Sequence, residues 1–425
     1  MTVRRLLGSH ALAACAMAAP WPGLLVAVWD ATGSQGALAL VGAARMAPYV
    51  ACSSLAGVLA DRLDRGRLVR LSGWGRALLL AGCALALATE APLLAAGLAT
   101  AAVTVGTPAY PATAAGLPRL AGAGTASATH LLVTIEVGAF VVGPALGGAA
   151  LTALPPAAVA TVASVATVAA ALMLRGIRLP APAHGRETGE VAGPGGPGGT
   201  GSTGATGARG GVRHCVAVLG RTPRAAAAVL GVAAVNAMLG ALGVALLPLS
   251  EQAWPGQPDA FGTTTGALGA GALAAPVVVR LLALGGDGVR RPLVLTALAL
   301  PAVALAPSVV EALLPLALVG ACAVHVEAVA TLTVQRCVPD HSRGSVLGLT
   351  DAVMVASALV GAAVTPFLAV WFGADRLVLV LAAALTVAAW PAGRVEGVGG
   401  PRVLGASRAP RSVPPRTVAS VEQVF

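Results

Sequence analysis

The sequence predicts an all-α, polytopic membrane protein with about twelve transmembrane helices, and three observations support this class. Hydrophobic residues make up 57% of the 425 residues, and only 10% are charged, whereas a soluble protein has about 25%. Apolar runs of about 18 residues or more, long enough to cross a bilayer core of about 30 Å, recur along almost the whole chain. The few charged residues lie mainly in the short segments between these runs.

The predicted spanning segments form two groups of six, and each segment is close to the length that a membrane-crossing helix needs. The first group is 6–29, 36–59, 68–89, 91–115, 127–152 and 154–176, and the second is 225–249, 262–284, 292–307, 309–334, 345–371 and 375–393. The ninth segment is short and contains Pro301 and Pro307. Its boundaries, and those of the twelfth segment, are therefore left open.

This grouping predicts four regions: a six-helix bundle at 1–176, a linker at 177–224, a second six-helix bundle at 225–393 and a disordered tail at 394–425. The linker is rich in Gly, Pro, Ser and Thr up to residue 212 and cannot bury enough apolar surface to fold, but its end predicts a short amphipathic helix. A short basic loop followed by a Gly-rich helix occurs twice, at 117–148 and at 335–366. The two bundles are therefore predicted to be repeats, as in many transporters.

The distribution of charge predicts the orientation of the chain. All 27 basic residues are arginines, and the net charge is +10. One set of loops contains Arg4, Arg5, Arg62 to Arg70, Arg119, Arg175 to Arg224, Arg280, Arg290, Arg291, Arg336 and Arg343; the other contains Asp30, Glu90, Glu251, Asp259, Glu311 and Asp375, with Arg376 as its basic exception. Because basic loops stay in the cytoplasm, we expect both termini and the linker there, with the protein in the plasma membrane. The abundance of Ala, Gly, Val and Pro, with arginine in place of lysine, predicts a bacterium with a GC-rich genome.

Several function classes are disfavoured. The six cysteines are scattered without a C-x-x-C pair, so the sequence predicts no metal site and no disulfide framework. There is no phosphate-binding G-x-x-x-x-G-K-[ST] motif and no H-E-x-x-H or G-x-S-x-G motif, so we predict neither an ATP-driven pump nor an enzyme, and no cofactor. The arginines lie between apolar segments, which favours a membrane surface over a nucleic acid as their partner.

The loop between the second and third segments, "GVLADRLDRGRLVRL" at 57–71, concentrates charge in an otherwise apolar chain. It resembles the signature G-x-x-x-D-R-x-x-R-x-R of the major facilitator superfamily, and every fixed place is matched, by Gly57, Asp61, Arg62, Arg65 and Arg67. The resemblance implies a conformational latch in which Asp61 lies near the start of the eleventh segment. Its partner region there would be Gly344 to Asp351. The matching loop of the second half keeps only Asp287, Arg290 and Arg291 in loose spacing. The alternative is that these arginines serve membrane topology alone.

A second motif, "GAFVVGPALGG", lies in the fifth segment and resembles a pattern of the exporter branches of that superfamily. Its fixed places are Gly138, Gly143, Pro144, Gly147 and Gly148. From the residues alone, glycines four apart give a flat face for close helix packing and the proline can bend the helix; packing without directional meaning is the alternative. More diffuse similarity at 29–34, 44–68, 107–120 and 334–349 resembles siderophore and macrolide exporters. One departure is that segment 91–115 has no charged residue, although many proton-coupled drug exporters have an arginine there.

Ionisable residues inside the predicted spans are candidates for proton or substrate binding because they are costly in a bilayer. The candidates are Glu136, Arg45, His325 and Glu327, with Asp351 as either a latch residue or a proton carrier and Arg76 close enough to the inner face to reach it. Glu136 lies on one helical stripe with Gly143 and Gly147 and can pair with Arg45, bind a proton or form a static packing contact. His325 and Glu327 are about 200° apart around their helix, so we do not expect both in one cavity.

The sequence therefore predicts a secondary active transporter that works by alternating access, as a monomer surrounded by lipid. Few aromatic residues and few cavity charges favour a small apolar or amphiphilic organic substrate, and the resemblance implies export by proton antiport. The alternatives are an uptake permease of the same fold and a sensor or assembly protein that does not transport. Neither the substrate nor the proton-coupling residue is identified by the sequence.

Overall fold

A computed structural model describes residues 2–177, 179, 206–255, 257, 260–284 and 288–397. These residues form fifteen α-helices and one short 3-10 turn, and they contain no strand, so the all-α class is confirmed. The first eight helices are α1 Thr2–Ala18, α2 Trp21–Thr32, α3 Gln35–Arg62, α4 Arg65–Ala88, α5 Pro92–Gly106, α6 Ala109–Ala121, α7 Thr125–Ala150 and α8 Pro156–Met173. The others are α9 Thr206–Arg221, α10 Pro223–Ala253, α11 Ala260–Leu281, α12 Arg290–Ala304, α13 Val309–Cys337, α14 Asp340–Phe372 and α15 Ala374–Gly397.

Nine stretches within the described residues are long and apolar enough to cross a membrane. One of them, Pro92–Ala150, contains α5, α6 and α7 and so covers two of the predicted segments. With that stretch divided, and with α12 and α15 added, each of the twelve predicted segments has a helical counterpart. The protein is therefore a multi-pass membrane protein.

Two predicted single helices are interrupted by proline. The first segment is divided into α1 and α2 before Trp21, where Pro20 and Pro22 follow each other closely. The fourth is divided into α5 and α6 at Thr107 and Pro108. Proline has no backbone N–H and clashes with the preceding turn, so an unbroken helix is disfavoured at both places. Helix α6 then continues to Ala121, beyond the predicted end at residue 115.

The predicted linker contains one described helix, α9, which covers 206–221 rather than 213–224 because Pro223 begins the next helix. It packs against α3, α10 and α14. Most of the Gly-rich part of the linker and the tail after residue 397 lie outside the described residues, so the flexibility predicted for them stays a prediction.

The packing of helices repeats between the two halves. Helix α1 packs against α7 and α8, as α10 packs against α14 and α15. Helix α4 packs against α5 and α8, as α12 packs against α13 and α15. Helix α3 contacts α5 and α11 contacts α13 in the same relation. Six helical segments in each half therefore occupy equivalent positions.

The apolar cores follow this division and add two clusters that both halves share; the smaller one packs Val133 on α7 against residues of α11 and α13. One large cluster lies within the second half, from α10 to α15, and another lies within the first half. The larger shared cluster joins both halves at their arginine-rich ends and includes Leu7 and Leu117 of the first half and Val346 and Leu347 of the second. The halves are thus in contact through side chains at that end of the molecule.

Close helix crossings within a half depend on glycine. On α10, a Cβ atom at Gly240 would collide with the carbonyl oxygen of Ala358 on α14, and one at Gly361 would collide with the carbonyl oxygen of Ala237. Lipid is as apolar as leucine, so helices in a bilayer associate mainly through van der Waals packing, which small residues allow. These paired glycines set the distance between α10 and α14.

Replacing Gly240 by alanine is therefore expected to destabilise the protein by about 1–3 kcal/mol, because the added methyl group has no room. The matched control is Gly243→Ala on the same helix, where a Cβ atom meets nothing within 4 Å. Thermal unfolding of the purified protein should show a lower apparent Tm for Gly240→Ala and an unchanged or slightly higher one for Gly243→Ala. Equal Tm values for both variants would contradict the proposed crossing.

Candidate functional site

A cavity of about 640 Å³, part of it open to solvent, lies near the middle of the helices. Sixteen of the described residues line it, and of these fifteen belong to the first half and one, Asp351, to the second. They are His10, Ala14, Met17, Ala18, Trp21, Arg45, Tyr49, Arg76, Val103, Gly106, Thr107, Tyr110, Glu136, Ala139, Phe140 and Asp351.

Glu136 on α7 is paired with His10 on α1, with 2.6 Å between the carboxylate Oε2 and the imidazole Nε2. The other two members of its helical stripe also face α1: a Cβ atom at Gly143 would lie 2.5 Å from the Cβ of Ala18, and one at Gly147 would collide with the backbone of Ala19. The α7 face predicted from spacing is thus a contact with α1. The ion pair offered for Glu136 and Arg45 is not formed, because α1 brings His10 to the carboxylate instead.

The other residues of the motif at 138–148, which lies on α7, have different surroundings. A Cβ atom at Gly138 would lie 2.7 Å from Cδ2 of Leu273 on α11, so this glycine lets the two halves approach each other. Gly148 has nothing within 4 Å of a built Cβ atom. Pro144 lies inside α7, which continues through it.

Arg45 extends into the cavity between two aromatic rings. Its guanidinium carbon lies 5.1 Å from the ring centroid of Trp21 and 5.8 Å from that of Phe140. Both distances are within the range of about 6 Å over which a cation is attracted to a ring face.

Arg76 on α4 also reaches the cavity, where its Nη2 donates to the carbonyl oxygen of Gly106 at 3.0 Å. The absence of a side chain at Gly106 makes room for the guanidinium, which a Cβ atom there would strike. Arg76 thus points into the cavity instead of reaching the inner membrane surface, because a carbonyl group at the break between α5 and α6 accepts its hydrogen bond. A positive charge therefore lies beside the fourth segment, which has none of its own.

Asp351 on α14 lies in the cavity, apart from the charged loop between α3 and α4. Its carboxylate accepts a hydrogen bond from the hydroxyl of Ser53, and it lies seven residues beyond Gly344, about two helical turns further along α14. Of the two roles offered for Asp351, its surroundings favour proton or substrate binding over a direct contact with the loop.

His325 and Glu327 face different neighbours on α13. The imidazole of His325 is stacked on that of His130 on α7, with 5.1 Å between ring centroids and 18° between ring planes, and its Nε2 lies 3.2 Å from the carbonyl oxygen of Leu284. Glu327 is buried and lies within electrostatic range of Asp351 and Glu136. Among the described residues there is no group of three or more histidine, cysteine or acidic side chains placed to bind a metal.

Asp61 joins the end of α3 to the beginning of α14. Its Oδ1 accepts a hydrogen bond from the backbone N–H of Gly344 at 2.7 Å, and its Oδ2 accepts one from that of Ser345 at 2.6 Å. Helices α3 and α14 approach closely here, because a Cβ atom at Gly57 would collide with the carbonyl oxygen of Gly344. A carboxylate near the first turns of a helix is also favoured by the helix dipole.

Arg65, which is fully buried, completes this contact. Its guanidinium donates to Oδ1 of Asp340 at 3.2 Å and to the Asp340 carbonyl oxygen at 3.0 Å. Arg119 on α6 lies 3.2 Å from the second carboxylate oxygen of Asp340. We refer to the contacts of Asp61, Arg65 and Arg119 with residues 340–345 as the α14 clamp. The other motif arginines, Arg62 and Arg67, are exposed and take no part in it.

Several cavity residues were not singled out from the sequence: His10, Trp21, Tyr49, Tyr110 and Phe140. One signal could have found two of them. The chain has only two tyrosines, and each is next to a proline inside an apolar helix, in Pro48-Tyr49 and Tyr110-Pro111. The sequence shows few aromatic residues overall, yet four of the sixteen cavity residues are aromatic, against 3% of the chain.

The helix packing repeats between the two halves, and charged residues line the cavity between apolar helices. The family model of the Major Facilitator Superfamily matches residues 6–354, and the chain belongs to this superfamily. A search of curated protein sequences finds no significant match.

Solved structures of the same fold include transporters of different kinds. A human organic anion transporter, TETRAN, aligns over 92% of this chain and 99% of its own with a TM-score of 0.68 and 17% identity. A bacterial homologue of the iron transporter ferroportin, in an outward-facing state, aligns over 93% and 100% with a TM-score of 0.69 and 16% identity. The fucose:proton symporter of E. coli aligns over 91% and 97% with a TM-score of 0.65 and 15% identity. At these identities the similarity shows the fold alone.

The pair of His10 and Glu136 leads to a test by double-mutant cycle. His10→Leu removes the partner of a largely buried carboxylate and should lower the free energy of unfolding by about 1–3 kcal/mol. The double variant His10→Leu/Glu136→Leu should lose less than the two single variants together, because neither polar group is then left without a partner. Additive losses in thermal unfolding would show that the two side chains do not interact.

The α14 clamp predicts local protection of backbone amides. Asp61→Asn retains the shape of the side chain but replaces one acceptor oxygen by a donor, so it cannot accept from both Gly344 and Ser345. We expect hydrogen exchange in peptides covering 340–348 to accelerate about tenfold or more, since hydrogen bonds to charged groups contribute about 1.5–3 kcal/mol.

The control for this variant is Asp64→Asn in the same loop. Asp64 caps α4 by accepting from the backbone N–H of Arg67 at 2.6 Å, and asparagine caps a helix equally well. This control should leave exchange at 340–348 unchanged. If Asp61→Asn also left it unchanged, the clamp would not hold α14.

Proposed function

We propose that this protein is a proton-driven exporter of a small apolar or amphiphilic organic molecule, working by alternating access as a monomer in the plasma membrane. We propose that both termini and the linker lie in the cytoplasm, on the arginine-rich side of the membrane. We also propose that the protein comes from a bacterium with a GC-rich genome. Within the superfamily, the motifs of the second, fifth and eleventh segments support the siderophore and macrolide exporter branch.

The observation that carries this proposal is a cavity with ionisable walls, lined mainly by the first half and by Asp351 of the second, together with the α14 clamp at the arginine-rich ends of the two halves. The clamp is made of contacts that α3, α4 and α6 of the first half form with α14 of the second. If the halves rock against each other, these contacts must break, which is what a latch between two access states requires. With the arginine-rich end in the cytoplasm, the clamped state is closed to the cytoplasm.

Three acidic side chains are candidates for the proton: Glu136 and Asp351 in the cavity, and buried Glu327 on α13. Glu136 is the leading candidate because it lines the cavity, where a substrate would enter, and forms a close contact there with His10. Arg76 beside Gly106 supplies the positive charge that the fourth segment does not carry.

The main alternative is an uptake permease. The same fold serves a fucose:proton symporter and a proton:xylose symporter, so the architecture is compatible with either direction. A protein that senses or assembles without transport is the second alternative. The glycine packing of α7 on α1 supports the exporter reading only through its resemblance to the exporter pattern.

A flux experiment separates these functions. Substrates are first found by a resistance screen in an efflux-deficient host and are then followed in inside-out vesicles under a pH gradient. We expect accumulation with the wild-type protein, and with Glu136→Gln we expect gradient-driven accumulation to fall to the level without a gradient while exchange of substrate across the membrane persists. The matched control is Glu311→Gln in an exposed turn, which should behave as wild type.

The other possible results of the flux experiment each favour a different function. Accumulation only in right-side-out vesicles would establish uptake and overturn export. If neither orientation transported any substrate although the protein was present in the membrane at normal abundance, a role without transport would be supported.

A further inference from the structure

The two arginines of the cavity have hydrogen-bond donors that no acceptor among the described residues uses. Arg45 lies over the ring faces of Trp21 and Phe140, and attraction to a ring face leaves the N–H groups in the guanidinium plane free. Within the described part of the chain, no carboxylate lies within ion-pair distance of Arg45. A guanidinium held in this way is oriented but not neutralised.

Arg76 shows the same condition at a second point of the cavity. One of its nitrogens donates to the Gly106 carbonyl oxygen, whereas its buried Nε has no hydrogen-bond partner among the described residues. A buried polar nitrogen without a partner is costly, and each such group in a folded protein calls for an explanation. Because Arg76 lines the cavity, a ligand that accepts from its guanidinium is one explanation. Glu136 lies near enough to act on Arg76 electrostatically, but it forms its close contact with His10.

The two acidic residues of the cavity are in the opposite condition. Glu136 is engaged by His10, and Asp351 accepts a hydrogen bond from Ser53. A cationic ligand would have to compete with these donors, whereas an anionic ligand meets guanidinium groups with donors to spare. Guanidinium groups match the planar oxygen pair of a carboxylate or sulfonate particularly well.

The remaining walls suit an apolar and aromatic body. Trp21, Tyr49, Tyr110 and Phe140 concentrate aromatic surface in the cavity, and Met17 adds a flexible apolar side chain. Aromatic rings provide large apolar contact area and prefer to stack with other rings. The cavity thus combines two cationic points with an apolar enclosure.

We infer that the cavity binds an amphiphilic organic anion, a carboxylate or sulfonate attached to an aromatic or apolar body, with Arg45 and Arg76 contacting the acidic group and the aromatic side chains contacting the body. This inference rests on the proposed transport function and narrows its substrate class from apolar or amphiphilic molecules in general to anionic ones.

Three probes with one ring system and different charge test it: 2-naphthoate, 2-naphthylmethanol and 2-naphthylmethylammonium. Their binding to the purified full-length protein in lipid nanodiscs is measured by equilibrium dialysis against empty nanodiscs. We expect naphthoate to bind about tenfold or more tightly than either of the other two, since a charge-assisted contact contributes about that factor. Arg45→Gln should remove this preference and leave the neutral alcohol unchanged.

Two further variants keep the result interpretable. Arg4→Gln, at an exposed position of α1 outside the cavity, should bind naphthoate as the wild type does. Arg45→Lys preserves the charge but not the planar donor pair, so it should bind naphthoate with intermediate affinity. If Arg45→Gln does not fold, the order of probe affinities in the wild type and the naphthoate affinity of Arg45→Lys still test whether the cavity binds an organic anion.

The inference is overturned if the ammonium probe binds most tightly, if the three probes bind equally, if none binds to folded protein, or if Arg45→Gln leaves the naphthoate affinity unchanged. Flux of the bound probe in vesicles separates this inference from the transport function. Naphthoate that binds through Arg45 but is not moved supports the anion site and counts against transport, whereas transport of the cation alone supports transport and rejects the anion site.

Discussion

The contact that the arrangement of the two halves depends on is that of Asp61 and Arg65 with the first turns of α14. In an α-helix, the N–H of Gly344 pairs with the carbonyl of Asp340 four residues earlier. Asp61 accepts from that N–H, and Arg65 donates to that carbonyl, so the pair engages both ends of one helical step from the other half of the protein. The groups involved are buried, and breaking the contact leaves charges without partners unless water enters.

This contact sits at one end of a cavity whose polar groups come almost entirely from the first half. Arg45, Arg76, His10 and Glu136 are all on helices of that half, and only Asp351 is contributed by α14. A movement of the second half would therefore change access to the cavity while leaving most of its ligand-facing groups in their mutual geometry. The repeat in helix packing does not extend to chemistry, because equivalent helices in the two halves carry different polar residues.

Glycine has two roles in this chain. Within each half it lets neighbouring helices approach, as Gly240 and Gly361 do on α10 and α14, and Gly147 does on α7. Elsewhere it makes room for a functional group, as Gly106 does for the guanidinium of Arg76. In both roles a single added methyl group would collide with a neighbouring group. Apolar composition alone does not show which glycines have such a neighbour.

The fold class, the number of spanning segments and their approximate limits follow from the sequence by itself, because the bilayer requires apolar stretches of a fixed length and helices that satisfy their own backbone hydrogen bonds. Helical spacing also placed Glu136, Gly143 and Gly147 on one face. Only the tertiary structure decided that Glu136 on this face pairs with His10 instead of Arg45. It also decided that Arg76 lies in the cavity wall instead of at the membrane surface. Those pairings join residues far apart in the chain, and local periodicity carries no information about which distant helix lies opposite.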